Sequence, residues 1–217
     1  MIVLILSETN RSRFYLNYIL KYKIFIDQII YFSKEKKKLF KIIEKKKLNK
    51  KTYHIRTNTI NSKKIEKFFL KNKIKKPLIY SGYPGEIIQN DFLLKKNLIH
   101  FHSGDLPLFK GSTTIFYSIL MKKKITVTCF KMKKGIDEGK ILYKKRFNIP
   151  KNKKTLNSSY DDKIRAETMI EFLKNGKKNY KNTIKSKYFD TYYVAHPLIR
   201  GIAIHKEKFK KIYSKKW

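Results

Sequence analysis

The sequence predicts an α/β domain built on a mainly parallel sheet with helices on both faces. Two observations carry that expectation. Short unbroken apolar runs such as Ile2 to Leu6 have the length and uniform hydrophobicity of strands covered on both sides. Between them lie longer stretches in which apolar residues recur three and four positions apart, the spacing of helices that bury one face. Strand and helix in alternation make parallel units, and such sheets hold their ligands at the carboxyl ends of the strands.

The first strand is Ile2 to Leu6. The SETNRSRF stretch that follows supplies Ser7, Thr9, Asn10 and Ser12 where a helix N-cap belongs, and Phe14, Tyr15, Tyr18 and Ile19 continue at helical spacing. Gln28 to Phe32 reads as a second strand, and Lys34 to Lys51 as a lysine-dense helix with Leu39, Ile42 and Ile43 on one face. A helix over Asn61 to Lys73 and a strand over Pro77 to Tyr80 come next. Ser81-Gly82-Tyr83-Pro84-Gly85 is the most turn-prone segment of the chain, because glycine and proline supply backbone angles that other residues resist. Beyond it lie a strand (Leu98 to His102), a helix (Thr113 to Met121), two strands (Ile125 to Lys131 and Ile141 to Ile149) and a long helix (Leu156 to Lys174). The pattern weakens after Lys177, where Tyr192 to Ile199 reads as a short terminal strand or docking segment. The expected arrangement is Rossmann-like, with one domain over residues 1–175 and a C-terminal extension, 176–217, packed on it.

An apolar content of 41% over 217 residues supports a packed core and excludes full disorder. No run of about 18 apolar residues occurs, and MIVLILSETN has neither a basic leader nor a small-residue cleavage site, so a cytoplasmic protein is expected. A single cysteine, Cys129, rules out an internal disulfide and reads as a small buried apolar residue. His54, His196 and His205 have no partner at ligand spacing, so no metal is expected. The formal charge of +37 has two readings. One is solvated lysine faces from an A/T-rich coding sequence, in which lysine travels with Ile, Asn, Tyr and Phe; the other is a surface for a polyanion or an anionic lipid. The compositional drift favours the first, and no specific nucleic acid is expected.

Chemistry concentrates in two segments. They are His100-Phe101-His102-Ser103-Gly104-Asp105-Leu106-Pro107-Leu108-Phe109-Lys110-Gly111-Ser112-Thr113-Thr114 and Gly135-Ile136-Asp137-Glu138-Gly139. Two histidines two residues apart at a strand end point to one face, where this kind of fold places its crevice. A loop with Pro107 and Gly111 then delivers Ser112 to Thr114 at a helix start, where free amides and the helix dipole favour an anion or a polar group. Asp137 sits between glycines in a tight turn that holds its carboxylate.

These segments resemble the folate-dependent formyltransferases. That family carries Asn-x-His-x-Ser-x-Leu-Pro-x-x-x-Gly and, downstream, Gly-x-Asp-x-Gly. The fixed step of five from histidine to proline puts the family's histidine on His102, and its aspartate falls on Asp137. The resemblance runs from the first strand to about Leu173 and is dense from Tyr80 to Leu142. It departs in two places: the family's asparagine is His100, and Ser103 stands where proline or alanine is usual. The form His-x-His-x-Gly-x-Leu-Pro-x-x-x-Gly-Ser-Thr is most similar to members acting on amino sugars.

The resemblance implies direct transfer of a formyl group from 10-formyltetrahydrofolate to a primary amine. His102 would meet the oxyanion as imidazolium, Asp137 would raise its pKa and relay the amine proton, and His100 would donate an N–H to the formyl oxygen in place of asparagine. Main-chain groups of Ser81, Gly82, Tyr83, Pro84 and Gly85, with Ile87 and Ile88, and of Lys133, Lys134, Gly135 and Ile136 would read the pterin ring. Asn10, Arg11 and Arg13 would take a substrate phosphate, with Gly111, Ser112 and Thr113 as further substrate contacts. A nucleotide-activated amino sugar bound for a surface glycan is the expected substrate. Glycinamide ribonucleotide is the alternative within the enzymes, and an inactive basic binding protein on the same scaffold is the alternative outside them. Relatives pair as dimers, for which Tyr188 to Tyr193 offer an aromatic surface.

Overall fold

Strand β1 (Val3–Ser7) is buried at every residue, as its unbroken apolar run requires, and the rest of the sheet is arranged around it. The computed structural model describes residues 2–35, 38–45, 51–74, 76–157, 159–175 and 190–213. In it β1 is flanked by β2 (Gln28–Ser33) and β4 (Leu78–Ser81), both parallel to it. Strand β3 (Thr52–Arg56) adds beside β2, and β5 (Leu98–His102) beside β4, again in parallel. Two antiparallel strands, β7 (Ile125–Met132) and β8 (Gly139–Phe147), complete the order β3-β2-β1-β4-β5-β7-β8. A separate short pair joins β6 (Lys110–Gly111) to β9 (Thr191–Tyr192).

Alternate residues of the central strands feed two cores, the consequence of a side-chain period of two. Leu4 and Leu6 of β1 pack with Tyr15 and Leu16 of helix α1 (Asn10–Lys21), Leu39 and Ile43 of α2 (Lys38–Lys45), Ile115 of α5 (Thr114–Lys122) and Met169 of α6 (Tyr160–Asn175). Val3 and Ile5 join Ile65 and Phe69 of α3 (Lys63–Asn72) and Leu93 of α4 (Asp91–Lys95) on the opposite side. Helices therefore cover both faces, and the mainly parallel sheet is the one the sequence predicts. Helix α7 (Pro197–Tyr213), kinked at His205, lies beside α5 and adds Ala203 and Ile204 to the first core.

Several stretches differ from expectation, the short α4 and β6 among them. The lysine-dense helix is described over Lys38–Lys45, with 36–37 and 46–50 outside the described residues, and Thr52–Arg56 is an edge strand in which only Ile55 is buried. The long helix starts at Tyr160, after a 3₁₀ turn at Lys153–Asn157. The terminal segment holds two residues of strand and then α7, whose first residue is Pro197, a position where the missing N–H costs nothing. Of the extension 176–217, residues 176–189, including Tyr188 and Phe189, lie outside the described residues, as do 214–217. Among the described residues no helix is long and apolar enough to cross a membrane, and no group of three His, Cys, Asp or Glu is placed to hold a metal ion. Cys129 is buried.

The strand order reverses between β1 and β4, because the chain adds β2 and β3 on one side and then crosses to the other. Loops leaving β1 and β4 diverge there and open a crevice at the carboxyl ends.

Candidate active site

That crevice is a cavity of about 750 Å³. His102, the last residue of β5, lines it. Its Nε2 lies 2.8 Å from the carbonyl oxygen of Phe109 and 3.3 Å from Thr114 Oγ1, whose hydroxyl donates to the Ser103 carbonyl at 2.7 Å. A ring nitrogen that faces acceptors carries the proton, so Nε2–H donates to Phe109. The other nitrogen, Nδ1, lies 3.4 Å from Asp137 Oδ2. A proton placed on that nitrogen would face the carboxylate directly. The loop closes on the ring because residue 104 is glycine: a Cβ there would come within 2.4 Å of His102 Nε2.

Asp137 stands in the turn between β7 and β8 at φ 51°, in the left-handed region that aspartate tolerates better than most side chains. Gly139 follows at φ 147°, and a Cβ on it would lie 1.8 Å from the Lys131 carbonyl oxygen. The amide of Gly111 donates to Asp137 Oδ2 at 2.8 Å and fixes the carboxylate. Burial pulls the His102 pKa down, Asp137 pushes it up and Arg165 lowers it further; the net direction is down. Asp137 thus acts in the expected sense, but burial outweighs it.

His100 lies on the same strand face. Its Nδ1 is 3.2 Å from the Tyr80 carbonyl oxygen, and its ring meets Phe130 edge-on at 5.9 Å and 88°. A carbonyl only accepts, so the proton of the neutral ring is on Nδ1. Burial, reinforced by Arg11 and Arg165, pushes the His100 pKa well below its ordinary value. The donor role implied for this residue therefore has no proton on the nitrogen that would have to use it.

Most residues singled out from the sequence reach the cavity. Tyr83, Pro84, Gly85, Ile87 and Ile88 line it from the loop after β4, and Lys133, Gly135 and Ile136 from the turn that carries Asp137. Asn10, Arg11, Gly111, Ser112 and Thr113 line it as well. Four residues do not. Ser81 is fully buried, and its Oγ accepts from Arg11 Nε at 3.1 Å; the Gly82 carbonyl accepts from Arg11 Nη2 at 2.6 Å. These two hold Arg11 rather than a ligand. Arg13 follows Arg11 by two positions on a helix, which turns it to another side. Lys134 is exposed on its turn.

Other lining residues were not expected. Arg165 of α6 donates to the Phe101 carbonyl at 2.9 Å and to Ser103 Oγ at 2.8 Å, bracketing His102 along the strand. It pairs with Asp161 at 3.0 Å; burial alone would raise that carboxyl's pKa, but Arg165 leaves it below the usual range. Asp162 accepts from Asn10 at 2.8 Å, which commits Asn10 to a carboxylate, while burial raises the Asp162 pKa. Tyr192, Tyr193 and Arg200 complete the wall, with the Arg200 guanidinium 5.6 Å above the Phe116 ring. In the sequence Asp161 and Arg165 look like an ordinary exposed pair four apart, and nothing local marks them.

No family model matches the chain, and no curated protein does. Solved structures do. Phosphoribosylglycinamide formyltransferase from Bacillus halodurans superposes with a TM-score of 0.60 at 16% identity, over 81% of this chain and 94% of that one. A sugar N-formyltransferase from a Shewanella species gives 0.59 at 17%, over 94% of this chain and 86% of that one. The fold is that of the formyltransferases. A formyltetrahydrofolate deformylase from Pseudomonas putida shares it too, with a TM-score of 0.58 at 15% identity over 79% of this chain and 63% of that one. At these identities the likeness is one of fold. Within the formyltransferase fold, 94% coverage is too large to leave out the whole of 176–217, the part that brings Tyr192 and Arg200 to the cavity.

Proposed function

We propose that the chain transfers a formyl group from 10-formyltetrahydrofolate to a primary amine, and that this amine belongs to a nucleotide-activated amino sugar. The observation that carries the reading is the His102–Asp137 pair, 3.4 Å apart on the wall of an open cavity in a formyltransferase fold. An amine attacking the formyl carbon drives negative charge onto the formyl oxygen, and a donor already in place lowers that barrier. Nε2–H is committed to Phe109, which leaves this role to Nδ1, the nitrogen beside Asp137. With a proton on Nδ1 the ring donates to the oxyanion, and Asp137 takes the proton that the amine must lose. Burial makes the imidazolium costly at rest and stabilising once charge develops in front of it.

The carrier fits the wall between the loop after β4 and the Asp137 turn. Ile87 and Ile136, 50% and 40% exposed, present apolar surface there, and a flat ring would cover both while main-chain groups bind its edge. Arg11 and Arg200 line the cavity, and among the described residues neither has a carboxylate at ion-pair distance. Both offer charge to a phosphate. The sugar reading is supported by the tyrosine wall from 190–200, which offers ring faces to a sugar. We assign the catalytic domain to 1–175 and read the extension as completing the amine side, in a cytoplasmic and dimeric enzyme.

The test incubates the protein and 10-formyltetrahydrofolate with nucleotide-linked amino sugars, with glycinamide ribonucleotide, or with water alone, and follows tetrahydrofolate release. Formylation of an amino sugar is expected. Turnover of glycinamide ribonucleotide alone would reassign the substrate, and formate from water alone would make the protein a deformylase. No turnover together with tight, salt-sensitive RNA binding would replace the enzyme with a basic binding protein.

A further inference from the structure

We infer that His100 is a hydrogen-bond acceptor for the attacking amine: its bare Nε2 receives an N–H of that amine at the position where the formyltransferase pattern has a donating asparagine. The amine rests on the formyl-transfer reading; the state of the ring does not. Nδ1–H is used by the Tyr80 carbonyl at 3.2 Å. Nε2 has no partner among the described residues, and the ring lines the cavity. Tyr80 of β4 and the edge-on Phe130 of β7 set the ring plane. The charged or titratable groups that act on it from neighbouring elements are Arg11 of α1, Arg165 of α6 and His102 of β5. None of them is an acid, so nothing there holds a second proton on the ring.

A neutral acceptor at this place suits an amine reacting as the free base. It takes one N–H and leaves the nitrogen lone pair to point at the formyl carbon. As the new C–N bond forms, the carbonyl electron pair moves to oxygen, where His102 Nδ1–H meets it. The nitrogen becomes cationic and its hydrogen bond to His100 shortens. One proton then leaves the nitrogen for Asp137. When the bond from the formyl carbon to N10 of the carrier breaks, that proton passes to N10, and tetrahydrofolate and the formamide remain. The oxyanion then depends on His102 without a second side-chain donor from position 100.

The ring is tested first in the protein without substrate, labelled with ¹⁵N-histidine, by two-bond proton–nitrogen correlation. The His100 signals are those lost in His100→Phe. The neutral Nδ1–H form is expected from about pH 8 down to about pH 5, the range in which an ordinary histidine takes up its proton. A proton on Nε2 in that range overturns the inference, even if the enzyme formylates amines. The second test uses hydroxylamine as the probe amine in steady-state turnover. His100→Phe keeps an aromatic ring edge-on to Phe130 and removes the acceptor. The KM for hydroxylamine should rise about tenfold, the effect of one lost hydrogen bond, while the KM for 10-formyltetrahydrofolate stays put. A fall in kcat with the hydroxylamine KM unchanged would restore the oxyanion-donor role and overturn the acceptor. Should the wild-type ring show the Nδ1–H form while no amine is formylated, the amine is overturned as its partner and the formyl-transfer reading fails with it.

Discussion

His102 ends a strand buried at every residue in the parallel half of the sheet, whereas Asp137 rides on the turn of the antiparallel hairpin β7–β8, where Lys133, Lys134 and Glu138 are exposed. Packing places the first. Phe101 beside it meets the rings of Tyr15 and Phe172 at 6.1 and 6.0 Å, and Arg165 clamps the strand on either side of the histidine. Backbone conformation and one hydrogen bond place the second: a φ of 51° and the Gly111 amide. A core resists displacement through many small contacts, while a turn resists through a few specific ones. Stability and activity should therefore separate along the line between the two residues.

The sharpest way to expose that line is Phe101→Ala, which opens a cavity under β5. It should cost about 4 kcal/mol in urea unfolding, with activity lost only as the folded fraction falls. Next comes Asp137→Asn, for which a loss of about 10²- to 10³-fold in kcat/KM, or about 3–4 kcal/mol of barrier, is expected, with unfolding free energy within about 0.5 kcal/mol of wild type. If the asparagine variant unfolds easily, the turn is part of the core's cooperative unit and the contrast breaks.

The smallest effect is on pH dependence. Burial, aided by Arg11 and Arg165, depresses the folded-state pKa of His100, and burial does the same for His102 against the pull of Asp137. The unfolded chain then binds protons first as pH falls through about 6.5, so stability present above that value declines toward acid, by at most about 1.4 kcal/mol per pH unit for each ring. Thermal melts of His100→Phe should show a flatter decline; a rise in wild-type stability on acidification would show that the Asp137 contact dominates instead.

Much of the fold could be read from the chain because its central strands are apolar at every position, as Ile2 to Leu6 and Leu98 to Phe101 show apart from His100. Thr52–Arg56 could not: an edge strand with one buried side chain carries no apolar run, and the lysine periodicity before it continued to its doorstep. Helix α4 has five residues, too few to show a period. In the site, His102 and Asp137 were legible because their neighbours are turn-forming glycines and a proline at fixed steps. Arg165 and Arg200 were not, because a charged side chain on a helix looks the same whether its neighbours in space are water or a strand end. Arg13 lies next to Arg11 in sequence, a closeness that helical geometry undoes.

Gly111 gives the site an order of assembly. At φ 101°, with Tyr192 so close that a Cβ would sit 2.1 Å from its carbonyl oxygen, Gly111 seats β9 while its own amide grips Asp137, and the Ser112 amide donates to the same Tyr192 carbonyl at 2.8 Å. A ribosome that has delivered residues up to 175 has already supplied all seven strands of the large sheet, but not the segment that carries Tyr192 and Arg200. The nascent protein can thus gain its large sheet before the 190–200 wall of the cavity, which closes only once that later segment has been translated.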